Sequence, residues 1–255
     1  MSALEQFAPL PLQEDWDNAG LQVGLTEAEV SGALLCLDVN EKVVEEAVRK
    51  GCNLIVAHHP LIFKGLKTLS DSDYVQRTVM KCIEHHIAVV AMHTNMDNAR
   101  GGVNFRIAQC LGLEDVDFIS HRMVDGREAG SAVMGHFKTP MQSEAFVGFV
   151  KEVFHVECAL CNELLARPVR KVAICGGAGD FMLPQAVKAG ADAFITGEMH
   201  YHVFFDHEQQ LQICVIGHYQ SEQFTAEIFR DIIRDAAPSL PLYIAETKTN
   251  PIIYK

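Results

Sequence analysis

Residues 33–60 read ALLCLDVNEKVVEEAVRKGCNLIVAHHP, and this stretch decides the fold. Ala33 to Leu37 is a short apolar run, predicted to be a strand that ends at Asp38. Glu41 to Lys50 follows with Val43, Val44, Ala47 and Val48 on one helical face, and Gly51 stops that helix. Asn53 to Ala57 is a second apolar run, leading straight into His58-His59-Pro60. Strand, helix and strand in so short a span imply parallel pairing with the helix packed outside the sheet.

Downstream the pattern repeats. A helix is predicted over 73–85 and a strand over 87–92, followed by His93-Thr94-Asn95-Met96-Asp97. A further helix over 103–111 is closed by Gly112. Residues 114–130 read as loop. The alternation then resumes with a strand over 131–137, a helix over 143–154 and a strand over 170–175 that ends in Gly176-Gly177-Ala178-Gly179. Next come a helix over 182–189, a strand over 193–196 ending in Gly197-Glu198, and a strand over 212–216 ending in Gly217-His218. A helix over 221–236 and a strand over 242–247 complete the chain. Two α/β units are expected, 1–118 supplying His58, His59 and Asp97, and 119–255 supplying His218 and Glu222.

Composition sets the class. The chain has 255 residues, 49% of them hydrophobic and 21% charged, enough for a sizeable core. A net charge of −12 argues against nucleic acid as a partner. The N-terminus has no basic start or long apolar stretch, so no signal peptide is expected, and no apolar run is long enough to span a bilayer. The eight cysteines are scattered among apolar neighbours. They read as reduced thiols of a cytoplasmic protein. Cys158-Ala159-Leu160-Cys161 lacks the second pair that a zinc ribbon needs, and reads as structural.

Three polar clusters sit just after predicted strands: His58-His59, His93 to Asp97, and His218 to Glu222. Parallel sheets place ligand sites at the carboxyl ends of strands. Imidazole and carboxylate together suit zinc, iron, manganese or cobalt. His218 and Glu222 share a face if a helix begins near His218. Each cluster alone also fits an ordinary structural or surface role. The glycines of 176–179 could present backbone N–H groups to a phosphate, but a tight turn is the favoured reading.

Taken in order, Asp17-Asn18-Ala19-Gly20-Leu21-Gln22-Val23-Gly24, Ala57-His58-His59-Pro60, His93-Thr94-Asn95-Met96-Asp97, Thr196-Gly197-Glu198 and Gly217-His218 with Ser221-Glu222 resemble the Nif-three-like family, whose members are often labelled GTP cyclohydrolase I type 2 homologues. The resemblance spans nearly the whole chain, in the family's short form. It implies two intertwined α/β units with mixed, largely parallel sheets, a dinuclear metal centre between them, and a homohexamer. The implied ligands are His58, His59, Asp97, His218 and Glu222, holding two divalent ions per chain, with Asp97 and Glu222 as bridging carboxylates. His93 and Glu198 are the candidate catalytic groups. Asn40 departs from the Thr expected at its position, and the roles of Asn18 and His200 stay open.

Two functions follow. One is a metal-dependent hydrolase that activates water for attack on a small substrate, with a nucleotide-like, GTP cyclohydrolase-type molecule as one candidate. The other is a metal-binding scaffold without turnover, acting as an oligomeric platform for partners.

Overall fold

Apolar runs too short for helices and too continuous for a half-exposed sheet make buried parallel strands. The computed structural model follows this rule across residues 1–253; Tyr254 and Lys255, the end of the expected second unit, lie outside the described residues. In chain order the elements are α1 (Ser2–Phe7), β1 (Gly20–Val23), β2 (Ala33–Cys36), α2 (Glu41–Arg49), β3 (Leu54–Ala57), α3 (Tyr74–Glu84), β4 (Ala88–Ala91), α4 (Thr94–Asp97), α5 (Val103–Cys110), β5 (Glu114–Phe118), β6 (Arg122–Val124), β7 (Arg127–Ala129) and β8 (Val133–Met141). They continue with α6 (Ser143–Val153), β9 (Leu160–Cys161), β10 (Val169–Cys175), α7 (Leu183–Lys188), β11 (Ala193–Thr196), β12 (Gln212–Val215), α8 (His218–Glu222), α9 (Thr225–Ala236) and β13 (Leu242–Ile244). None of the helices is long and apolar enough to cross a membrane.

The described residues divide into two units, one of Met1–Met96 with Thr225–Ile253 and one running from Asp97 to Phe224. The first carries a five-stranded sheet in the order β1-β4-β3-β2-β13. Its β13, β2, β3 and β4 are parallel, and β1 joins β4 antiparallel. The second carries a six-stranded sheet in the order β5-β8-β10-β11-β12-β9. There β10, β11 and β12 are parallel, flanked by antiparallel β8 and β9. The fold is therefore mixed α/β with partly parallel sheets.

The break expected at 118/119 falls elsewhere, for a physical reason. β5 (Glu114–Phe118) pairs antiparallel with β8, so it belongs to the second sheet. Conversely, β13 adds in parallel to β2, which returns the C-terminal segment to the first sheet. The expected loop over 114–130 holds three strands, β5, β6 and β7. Their charged, largely exposed sequences lack the apolar run of a central strand, as suits strands at a sheet margin.

Local chemistry fixes the helices. Asn40 caps α2 by accepting from the N–H groups of Lys42 and Val43 at 3.0 and 3.1 Å, so the departure from Thr keeps a capping side chain. Asp73 caps α3 in the same way, accepting from Gln76 N at 2.9 Å. Val43, Val44 and Ala47 of α2 bury fully, as their spacing requires. The single helix expected over 221–236 is two, α8 and α9. At the break Gln223 Nε2 donates to the Phe154 carbonyl at 3.2 Å, and the Phe224 ring meets Phe154 edge-on at 6.0 Å.

Candidate metal site

In the first unit, the ends of parallel strands deliver histidines. β3 runs into His58 and His59, and β4 into His93, just after Met92. Offered one ring nitrogen each, the three place those atoms within 4.8 Å of one another, a group that could hold a metal ion. Each ring is tethered through Nδ1 to an oxygen: His58 to the Met92 carbonyl at 2.9 Å, His59 to Asp38 Oδ1 at 2.7 Å, and His93 to Asp17 Oδ1 at 2.7 Å. With Nδ1 carrying the proton in each bond, Nε2 is the nitrogen that each ring has left to offer. This is the arrangement that orients metal-bound histidines and raises their basicity.

The tethers are themselves anchored. Asp17 is fully buried and also accepts from the Thr94 N–H at 3.0 Å and from the Thr94 hydroxyl. Burial works to raise its carboxyl, but the hydrogen bond from His93, the charge of that ring and the bonds from Thr94 outweigh it and bring it down to about 2. Asp38 receives the Thr249 hydroxyl at 2.7 Å. Burial acts to raise Asp38 too, and the bonds from His59 and Thr249 hold it below the usual carboxylate range. Neither tethering role could be read from sequence, because Asp17 and His93 are 76 residues apart. Asn18 Nδ2 donates to the Ile62 carbonyl at 2.6 Å, which fixes the turn after His59-Pro60.

In the second unit, the parallel strands end in glycines and a carboxylate-flanked histidine. The short α8 sets His218 and Glu222 on one face, with Nε2 to Oε2 at 3.1 Å, as their spacing predicts. His218 Nδ1 stands 3.1 Å from Glu198 Oε1. A ring between two carboxylates can serve only one of them as a neutral donor. A proton or a cation between Nε2 and Glu222 satisfies the other, so this donor set fits a metal. The contact gives Glu198 a positioning part, through His218. His200 pairs through Nδ1 with Asp180 Oδ2 at 2.5 Å.

Glycines make room for Glu222, which is only 4% exposed. Gly177 has φ of +59°, and a Cβ there would lie 2.4 Å from Glu222 Oε1. A Cβ on Gly197 would meet the Gly177 carbonyl at 2.7 Å and His218 Cα at 2.9 Å. Three backbone N–H groups of the loop are occupied: Gly176 donates to Asn104 Oδ1 at 2.8 Å, Gly177 to Ser221 Oγ at 3.0 Å, and Gly179 to Thr196 Oγ1 at 3.1 Å. These bonds fit the turn reading of 176–179. Asp97 closes α4, and its carbonyl accepts from Asn104 Nδ2 at 3.2 Å. Asn104 thereby links Asp97 to the glycine loop, a role the sequence did not signal. Burial raises the Cys175 thiol well above its ordinary value, helped by the charges of Asp97 and Glu222. The eight cysteines are all outside disulfides among the described residues, and Cys161 of the C-x-x-C pair lies across from Cys214 in the β9–β12 ladder.

A model of the Duf34/NIF3 (NGG1p interacting factor 3) family matches residues 1–251. A Lactococcus lactis protein named GTP cyclohydrolase 1 type 2 homolog is 32% identical over 258 residues, covering 98% of this chain and 96% of its own. A Clostridium acetobutylicum protein of the same name is 28% identical over 257 residues, covering 99% and 96%. The crystal structure of a Staphylococcus aureus hypothetical protein superposes with a TM-score of 0.91 at 28% identity, over 100% of this chain and 97% of that one.

Proposed function

Since the chain belongs to the Duf34/NIF3 family, we propose that it is a hydrolase in which His58, His59, Asp97, His218 and Glu222 hold two divalent metal ions, zinc, iron or manganese. The observation that carries this reading is the set of Nδ1 tethers, which leaves His58 and His59 offering Nε2 to a metal and His93 Nε2 free for a proton beside them. Ions held there would supply Lewis acidity and would bring the pKa of water down toward neutrality. Asp97 and Glu222 would be the carboxylate ligands of the set, with two oxygens each to offer.

Around that centre the chain's own groups divide the remaining work. His93 moves a proton at Nε2, while Asp17 fixes the ring and gives the charge it acquires a partner, the logic of an aspartate behind a catalytic histidine. Glu198 positions His218. The cyclohydrolase name carried by the relatives makes a small nucleotide-like molecule the first substrate class to test. We assign the protein to the cytoplasm on its eight free thiols. The homohexamer belongs to the same proposal and is tested by sedimentation.

The test is a panel of cyclic-amidine, amide and phosphoester substrates with metal-loaded protein. Turnover that disappears in Asp97→Ala and Glu222→Ala supports the hydrolase. Full metal loading without turnover on any member of the panel overturns it in favour of a metal-binding scaffold.

A further inference from the structure

The loop after His59 opens a pocket that the metal donors do not use. Its cavity, of about 470 Å³, is lined by side chains that include Pro60, Phe63, Lys64, Lys67, Tyr74 and Gln76. Pro60 directly follows His59, so the cavity begins where the histidine pair ends. Phe63 belongs to both places. It lines the cavity, and its ring centre stands 6.3 Å from that of His93 and 5.9 Å from that of Trp16. Trp16 in turn lies 6.1 Å from His93.

These aromatics are left in solvent. Trp16 is 61% exposed, Phe63 45% and Tyr74 57%. Covering a large apolar side chain is worth ~1.5–3 kcal/mol, so an uncovered cluster beside a donor group invites a ligand. The rings meet one another at 56° to 79°, tilted or edge-on, which leaves ring faces open for stacking.

The charge in the pocket is also uncommitted. In a chain of net charge −12, Lys64 and Lys67 line this cavity, and neither has an ion-pair partner among the described residues. The acidic side chain of the lining, Asp73, is already engaged, accepting from Gln76 N at 2.9 Å and Gln76 Nε2 at 2.7 Å. Gln76 is buried and also accepts from Ser70 N at 2.8 Å, so this part of the wall is set before any ligand arrives.

We propose that this pocket binds a planar aromatic or heteroaromatic ring carrying an anionic group, phosphate or carboxylate. The ring stacks on Trp16 and Phe63, and the anion pairs with Lys64 and Lys67. Calling this ligand the substrate rests on the hydrolase reading; binding itself does not. On this geometry the ring lies toward His93 and the anion toward the lysines, so the anion is a handle and the bond cleaved lies in or beside the ring.

Trp16 is the single tryptophan of the chain, so intrinsic fluorescence reports on the stacking position. The full-length protein is titrated with a purine nucleoside monophosphate, the matching nucleoside, benzoate and inorganic phosphate, with metal content measured on the same samples. Saturable quenching by the nucleotide or by benzoate is expected, the stronger of the two identifying phosphate or carboxylate as the anion. The uncharged nucleoside should bind roughly tenfold more weakly, the equivalent of about 1.4 kcal/mol. Lys64→Ala/Lys67→Ala should erase that difference at unchanged metal content, and Phe63→Ala should weaken nucleotide and nucleoside alike. The proposal is overturned if no ring-bearing anion quenches Trp16, or if the double lysine variant binds as the wild type does. Ligand binding by metal-loaded protein that turns over no member of the substrate panel would instead sink the hydrolase reading and leave this pocket standing.

Discussion

The two donor sets of this protein are held by opposite means. In the first unit each histidine is fixed by something present, an oxygen that accepts a hydrogen bond from its Nδ1. In the second, Glu222 and His218 are fixed largely by something missing, the side chains that Gly177 and Gly197 do not have. The first set should therefore fail when a polar contact is removed, and the second when a methyl group is added.

Gly197→Ala is expected to do the most damage. Its Cβ would meet backbone atoms on two sides, neither able to swing away. Overpacking of this kind costs about 1–3 kcal/mol, so thermal melting should fall by several degrees and metal binding through His218 and Glu222 should be lost with it. Gly177→Ala meets a side-chain carboxylate rather than backbone, while its φ of +59° adds a strain of its own. Displacing that carboxylate should still lower metal affinity, which equilibrium dialysis measures. If both alanine variants bind metal as tightly as wild type, the steric account of the second set is wrong.

For the first set the matching change is Asp38→Asn. It keeps the size and a hydrogen bond to His59 but removes the charge. Losing such an outer partner typically costs 10–100-fold in metal affinity, and a loss in that range is expected with little change in melting temperature. A fall in stability without a fall in affinity would make Asp38 structural.

How far the sequence could be read follows the same division. The parallel strands β2, β3, β4, β10, β11 and β12 were legible because continuous apolar runs have few other uses, and His58, His59, His93 and His218 were legible as strand-end residues because they follow such runs. The i, i+4 pair His218 and Glu222 needed only helical geometry. Asp17, Asp38 and Asn104 were not legible as tethers, since each meets its partner only after the chain has folded. β5, β6 and β7 carried charged residues where a strand signal needs apolar ones. The clearance at Gly177 and Gly197 was hidden for a different reason: a glycine after a strand reads as a turn whatever it makes room for.

A smaller effect compares buried carboxylates. Glu46 is 1% exposed and accepts from the N–H groups of Glu246 and Thr247 at 2.8 and 2.9 Å, and from the Thr247 hydroxyl. In the second unit Asp192 accepts from the N–H groups of Arg170 and Lys171 at 3.0 and 2.8 Å and pairs with Arg167. Burial works to raise both carboxyls, but these bonds prevail and hold both below their ordinary range. A depressed folded pKa means stability that is complete above the unfolded value, about 4 for these groups, and lost as pH falls through the folded one. Glu46→Gln should flatten that acid loss in a pH-resolved urea melt. An unchanged acid profile would show that Glu46 contributes nothing to it. The smallest change expected is from Asn40→Ala, which removes the α2 cap at a cost of about 1 kcal/mol and leaves metal binding unaltered.

Elemental analysis of protein purified without chelator asks the central question most directly. Two equivalents of divalent metal per chain are predicted in the wild type, with a deficit in His58→Ala and in Glu222→Gln. A wild-type chain that neither retains nor takes up metal, or a doubly substituted chain that keeps its full complement, would contradict the account.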